Sequence, residues 1–119
     1  MYTNTNTEIA IAALKELAGE YSKTAAGKWL SDFDWRAVPV KFAKLGHGIV
    51  GCHSFGRIYL LETVDIGLVF DIYIHELRHV WQWKKKPLVY ILGKLYRPLI
   101  ERDADEKEKE ALDWYLHRH

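Results

Sequence analysis

The stretch IYIHELRHVWQW, residues Ile72 to Trp83, decides how the rest of the chain is read. Two histidines stand four residues apart, with a glutamate directly after the first, in a run otherwise as apolar as a core helix. In an α-helix, residues four apart share a face, so His75 and His79 can turn their imidazoles toward one point. Glu76 is rotated about 100° away along the helix surface. That is the mechanical content of H-E-x-x-H: two histidines hold a metal ion, and the glutamate misses the ion but reaches a water beside it as general base. The plain alternative is a core helix whose histidines are satisfied by hydrogen bonds to their neighbours.

Context outside the stretch separates the two readings. A catalytic zinc takes three protein ligands and keeps its fourth position for water, so a third ligand must come from elsewhere. Downstream lies ERDAD, Glu101 to Asp105. On a helix, Glu101 and Asp105 share a face, and Ala104 between them lets that helix approach another closely. Metal-bound histidines pass their second ring N–H to an acceptor, and Asp105 is placed to receive it from His75 or His79. The rival for these carboxylates is a solvated acidic face, against which stand the adjoining core-type residues Ile100 and Ala104. Asp103, His117 and His119 are lesser candidates for the third ligand.

Working outward, the motif helix is expected to run from Thr63 or Asp65 as N-cap to about Trp83. Lys84 to Lys86 oppose its dipole at the C-terminus, and Pro87 stops it. Two strands precede it, Gly48 to His53 and Arg57 to Leu61, joined through Ser54, Phe55 and Gly56. Earlier still, Val38, Val40 and Phe42 alternate as a half-buried strand that Pro39 confines to an edge or a bulge. The N-terminal part predicts a helix from Thr7 to near Gly19, then a short one between Tyr21 and Leu30. After the motif come an apolar connector, Leu88 to Tyr96, expected to be partly helical, and a last helix from Pro98 to about His117. Its buried face would be Ile100, Ala104, Ala111, Leu112 and Tyr115. The fold class is α+β: one domain over residues 1–119, with a small antiparallel or mixed sheet packed on the motif helix and the C-terminal helix.

Composition narrows the classes. A net charge of +1 gives no global field for nucleic acid or an anionic membrane, so any such binding would have to be local. The run Lys84 to Lys86 could touch phosphate, but it reads first as dipole compensation. The opening MYTNTNTEIA lacks a basic segment followed by an apolar one, so no export signal is expected. The most apolar run, Ile66 to Ile74, is interrupted by Asp71 and too short to span a bilayer. A soluble, cytoplasmic chain with no membrane partner follows as the expectation. Cys52, the single cysteine, excludes an internal disulfide and reads as a small apolar residue.

His75, Glu76 and His79, followed by Glu101, Ala104 and Asp105, resemble the H-E-x-x-H plus E-x-x-x-D pattern of the gluzincin metallopeptidases. The string HELRHVWQ is also similar to that of small bacterial and phage zincin-like domains, including those that accompany contractile injection systems. The likeness covers roughly Val38 to Tyr115. It implies a minimal zincin-like fold with Zn2+ held by His75, His79 and Glu101, Glu76 as general base and acid, and Asp105 as support behind the ligands. It also implies peptide-bond hydrolysis by a metal-activated water, the peptide pairing with the edge strand near Gly48 to His53. The short gap between the two motifs leaves no room for the second subdomain of larger members.

A donor for the developing oxyanion is not fixed by the pattern. Tyr90, Tyr96, Arg97 and His53 are the candidates, with Tyr96 and Arg97 preferred because they closely precede Glu101. His47 and His53 are otherwise read as surface residues, and Arg78 as the partner of an acid such as Asp71. The rival function is a catalytically silent, zinc-stabilised interaction module of a phage or secretion apparatus, which would also allow export by that apparatus.

Overall fold

Spacing of apolar residues explains the first element of the computed structural model, which describes residues 4–46, 48–54, 56–62, 66–95 and 97–118. Helix α1 (Asn4–Tyr21) buries Leu14, Leu17, Ala18 and Tyr21, the i, i+3, i+4, i+7 set of one helical stripe. Ile9 points to solvent, and the helix begins before Thr7, which is therefore not its cap. The predicted second helix does not form as such. Ser22 and Thr24 turn their hydroxyls onto the carbonyls of Gly19 and Tyr21, and the Gly27 N–H donates to Thr24 Oγ1. Side chains that bond locally to the backbone in this way compete with helix continuation. A side chain at Gly27 would strike the Tyr21 carbonyl, so this turn requires glycine. Two short 3₁₀ turns follow, Lys28–Asp32 and Trp35–Ala37, which sink Trp29, Leu30 and Trp35 into the core.

The sheet has three strands in the order β1 (Val40–Ala43), β3 (Arg57–Leu61), β2 (Gly51–Ser54). β1 runs parallel to β3 and β2 antiparallel to it, which makes the sheet mixed and leaves β1 and β2 as its edges. Pro39 sits just before β1, where its carbonyl accepts from the Ile58 N–H and its missing N–H costs the ladder nothing. β2 and β3 are joined at positions 55 and 56, and Gly56 has φ +75°, a left-handed conformation suited to glycine. Ile58 and Leu60 of β3 face the core.

A 3₁₀ turn, Ile66–Leu68, leads into α2 (Phe70–Lys85), which carries the motif. The cap position of α2 is Val69, so neither Thr63 nor Asp65, both outside the described residues, caps it as expected. α2 buries Phe70, Tyr73, Ile74, Leu77 and Val80 against the sheet and α1. Lys84 and Lys85 close its last turn, and the Lys86 N–H bonds to the Gln82 carbonyl. Pro87 then opens a separate helix, α3 (Pro87–Leu95), where the sequence suggested a partly helical connector. The last helix, α4 (Arg97–His117), crosses α2 and buries Ile100, Ala104 and Ala111, while Leu112 stays partly exposed. Among the described residues, no helix is long and apolar enough to cross a membrane.

Candidate metal centre

α2 and α4 pack through Ala104, which is fully buried. The missing bulk there brings the His75–His79 face of α2 against the Glu101 face of α4. His79 Nε2 lies 2.8 Å from Glu101 Oε1, and His75 Nε2 lies 3.4 Å from Glu101 Oε2. The two Nε2 atoms are 3.2 Å apart. His75, His79 and Glu101 thus form a group able to hold a metal ion.

Neighbouring groups fix which atoms face inward. Gln82 donates from Nε2 to the Ile100 carbonyl at 3.0 Å and to Asp103 Oδ2 at 2.9 Å, both pure acceptors. Its Oε1 therefore faces His79 Nδ1, 2.9 Å away, and accepts the proton of that nitrogen. Burial pushes the His79 imidazole below its ordinary pKa, against the opposing pull of Gln82 and Glu101. A neutral His79 with its proton on Nδ1 directs the lone pair of Nε2 at a carboxylate. His75 differs: its Nδ1 faces Glu108 Oε1 at 2.8 Å and Asp105 Oδ1 at 3.3 Å, close contacts that are not aligned as hydrogen bonds and do not fix its tautomer. The lone pair of His79 Nε2 and the Glu101 carboxylate face the gap beside His75 Nε2, where a proton carried by His75 or a metal ion would sit between them.

Asp105 serves His75 alone, and from farther away than Glu108. The acceptor behind His79 is Gln82 on the same helix. Burial raises the Glu108 carboxyl above its usual range, partly offset by His75. Asp103 does not join the ligand group. It receives Arg78 Nε at 2.6 Å and a second guanidinium nitrogen at 3.2 Å. This replaces the expected partner Asp71, which lies two turns back along α2, about 10 Å away by helical rise. The Arg78 guanidinium also covers the Trp81 ring at 3.6 Å.

Glu76 is 6% exposed and points along α2 toward β2. Its Oε1 accepts from His53 Nδ1 at 2.8 Å, while His53 Nε2 meets the Tyr90 hydroxyl at 2.9 Å. The His53 ring stacks on that of His79 with centroids 4.7 Å apart. His53, Glu76 and His79 offer ligand atoms within 4.8 Å of one another, so Glu76 borders the centre without sharing its carboxylate with the His75–Glu101 set. His53 is therefore no ordinary surface residue, which corrects the sequence reading. Its register explains why: it pairs with Ile58, and cross-strand partners project to the same side of a sheet, here the buried one. A cleft of about 660 Å³ is lined by His53, His79, Val80, Trp83, Lys84 and Tyr90, among others.

Tyr96 lies outside the described residues, as do His47, His119 and the side chain of Arg97, so the preferred oxyanion donors are not located. His117 is exposed and bonds to the Asp113 carbonyl within its own helix, away from the centre. Burial raises the Cys52 thiol, with Glu76 adding to the effect, which makes thiolate chemistry unfavourable there. Sequence reasoning missed Gln82 and Glu108 altogether. The one signal for Gln82 was a lone amide in an apolar run one turn after His79. Comparison of the chain with protein-family models, with curated proteins and with solved structures finds no match in any of the three.

Proposed function

We propose that the chain is a zinc-dependent hydrolase of gluzincin type, most simply a peptidase, with His75, His79 and Glu101 holding the ion and Glu76 as general base. The observation that supports this is the approach of His75 Nε2, His79 Nε2 and the Glu101 carboxylate to one another from two packed helices. Donor atoms of a tetrahedral zinc, each about 2.0–2.1 Å from the ion, stand roughly 3.3 Å apart. The two Nε2 atoms are 3.2 Å apart and lie 3.4 and 2.8 Å from different oxygens of Glu101, so a small shift of that carboxylate would seat the ion while both helices stay in place.

Bound zinc would supply Lewis acidity, polarising a carbonyl and easing deprotonation of water near neutral pH. The remaining work falls to the chain. Glu76, held at Oε1 by His53, takes a proton from the attacking water and returns it to the leaving amine. Tyr90 fixes the far side of His53, so the carboxylate and imidazole keep one orientation. The cleft beside His53 and His79 is large enough for a substrate side chain. Free β2 backbone along the sheet edge could pair with an extended peptide.

A catalytically silent, zinc-stabilised module is the second reading, favoured by the burial of Glu76 beneath His53. Elemental analysis of zinc-reconstituted wild type, His79→Ala and Glu76→Gln, paired with digestion of a random peptide library, separates the two. The enzyme reading expects stoichiometric zinc in wild type and Glu76→Gln, loss in His79→Ala, and cleavage only by wild type. Absence of stoichiometric zinc in wild type would sink the metal assignment. Zinc binding with Glu76→Gln as active as wild type would sink the general base.

A further inference from the structure

Helix α3 turns Tyr90 and Gly93 inward, and a side chain at Gly93 would run into Ile100 of α4. Its outer side is aliphatic. Leu88, Val89, Ile91 and Leu92 are 75%, 51%, 51% and 61% exposed, and Leu99 beyond them is also more than half exposed. Surface helices ordinarily place polar residues on that side. An exposed, contiguous apolar ridge of this kind marks a contact surface. Lys84, Lys85 and Lys86, all exposed, stand directly before the ridge. Trp83 is half exposed beside them, its ring edge-on to Tyr90 at 5.7 Å. The sequence of α3 contains no acidic residue.

We propose that this face docks on an anionic lipid surface, with α3 lying in the plane of the interface. The aliphatic side chains enter the boundary of the acyl region, the lysines meet headgroup phosphates, and the Trp83 ring lies at headgroup depth. Charge complementarity selects this occupant: leucines alone would suit any apolar partner, whereas three lysines at the margin call for negative charge layered beside an apolar phase. At nine residues α3 is about 13 Å long, far short of a bilayer, so attachment is peripheral. The sequence expectation of no membrane partner weighed long apolar runs and the near-neutral net charge, which left only a local charge patch open, and it could not foresee a short helix with its aliphatic side outward. Trp83 and Lys84 also line the cleft that reaches His53 and His79, so a docked chain would hold that cleft beside the headgroups. The proposal does not depend on the zinc assignment.

The test is co-sedimentation of the full chain with vesicles of phosphatidylcholine alone, and of phosphatidylcholine and phosphatidylserine in equal parts. Wild type is compared with a Lys84→Gln, Lys85→Gln, Lys86→Gln triple variant and a Leu88→Gln, Leu92→Gln double variant. All these positions are exposed, and thermal melting by circular dichroism checks that the fold is kept. The expected result is binding to the mixed vesicles that weakens with salt, falls about 100-fold in the triple variant and falls at least about tenfold in the double variant. Equal binding to both vesicle types, or none to either, overturns the proposal. So does a wild type that sediments as a dimer while the double variant is monomeric, because a second copy would then cover the ridge.

Discussion

Gln82 Oε1 accepts the Nδ1 proton of His79 at 2.9 Å, and the amide is itself held by Asp103 and the Ile100 carbonyl of α4. One buried side chain thereby sets the tautomer of a candidate ligand and ties α2 to α4. Gln82→Leu removes the acceptor behind His79 and leaves the Ile100 carbonyl without its donor. Stability should fall by about 1–3 kcal/mol in urea denaturation, and zinc affinity by roughly 10–100-fold in competition with a chelating dye. Unchanged affinity in a folded Gln82→Leu protein would show that His79 does not need this partner.

His53 and Tyr90 hold Glu76 from the side of the sheet. His53→Ala and Tyr90→Phe are expected to retain zinc, while peptide cleavage drops about 10–100-fold. A loss of zinc parallel to the loss of cleavage would mean instead that His53 supports the ligand set.

Two buried phenols predict the alkaline limit of the fold. Tyr21 and Tyr73 are fully buried, their hydroxyls find no hydrogen-bond partner among the described residues, and burial raises both pKa values above the ordinary tyrosine range. A raised acid pKa in the folded state means that the unfolded chain releases the proton first. Their contribution is therefore fully present below about pH 10 and is lost as pH rises from there toward the folded values. Tyr73→Phe should be neutral or stabilising by up to about 1–2 kcal/mol at pH 7, since an unpartnered hydroxyl leaves the core. It should also make alkaline unfolding shallower. A clear destabilisation at pH 7 would reveal a bond to that hydroxyl.

The class of fold was legible because its signals are local. The turn through Gly56 located β3 to the residue, and Pro87 and the lysine run located the end of α2 to within two residues. What escaped depends on packing between distant segments. The region after Tyr21 reads as helix by composition, yet Ser22 and Thr24 bond to the backbone and Gly27 is pressed on a carbonyl, neither of which a propensity contains. His53 was hidden by register: with the turn confined to positions 55 and 56, it falls opposite Ile58 and faces inward, whereas a turn that includes Ser54 leaves its direction open. Helical spacing put His75 and His79 on one face, and the packing of α4 brings Glu101 beside them, but which groups stand behind them required knowing how α4 crosses α2.

Gly51 offers a test of how tightly the sheet is set against the motif helix. A β-carbon at this position would collide with Ile72 of α2 and crowd Leu60. Gly51→Ala is expected to cost about 1–3 kcal/mol by chemical denaturation, and most of that cost should vanish in an Ile72→Ala background. Simple additivity of the two substitutions would place the strain elsewhere.

All three inward-facing residues fall within the single stretch from His75 to Glu101, spanning only α2, α3 and the first turn of α4. Closing a loop this short carries a small entropic cost, and that cost grows only slowly with length. An ion caught early would clamp the second half of the chain into a helical hairpin before β1, the β2–β3 ribbon and α1 had docked. The order of assembly would then depend on the supply of metal, and a chain made without it would have to bring its carboxylates and imidazoles together with nothing between them.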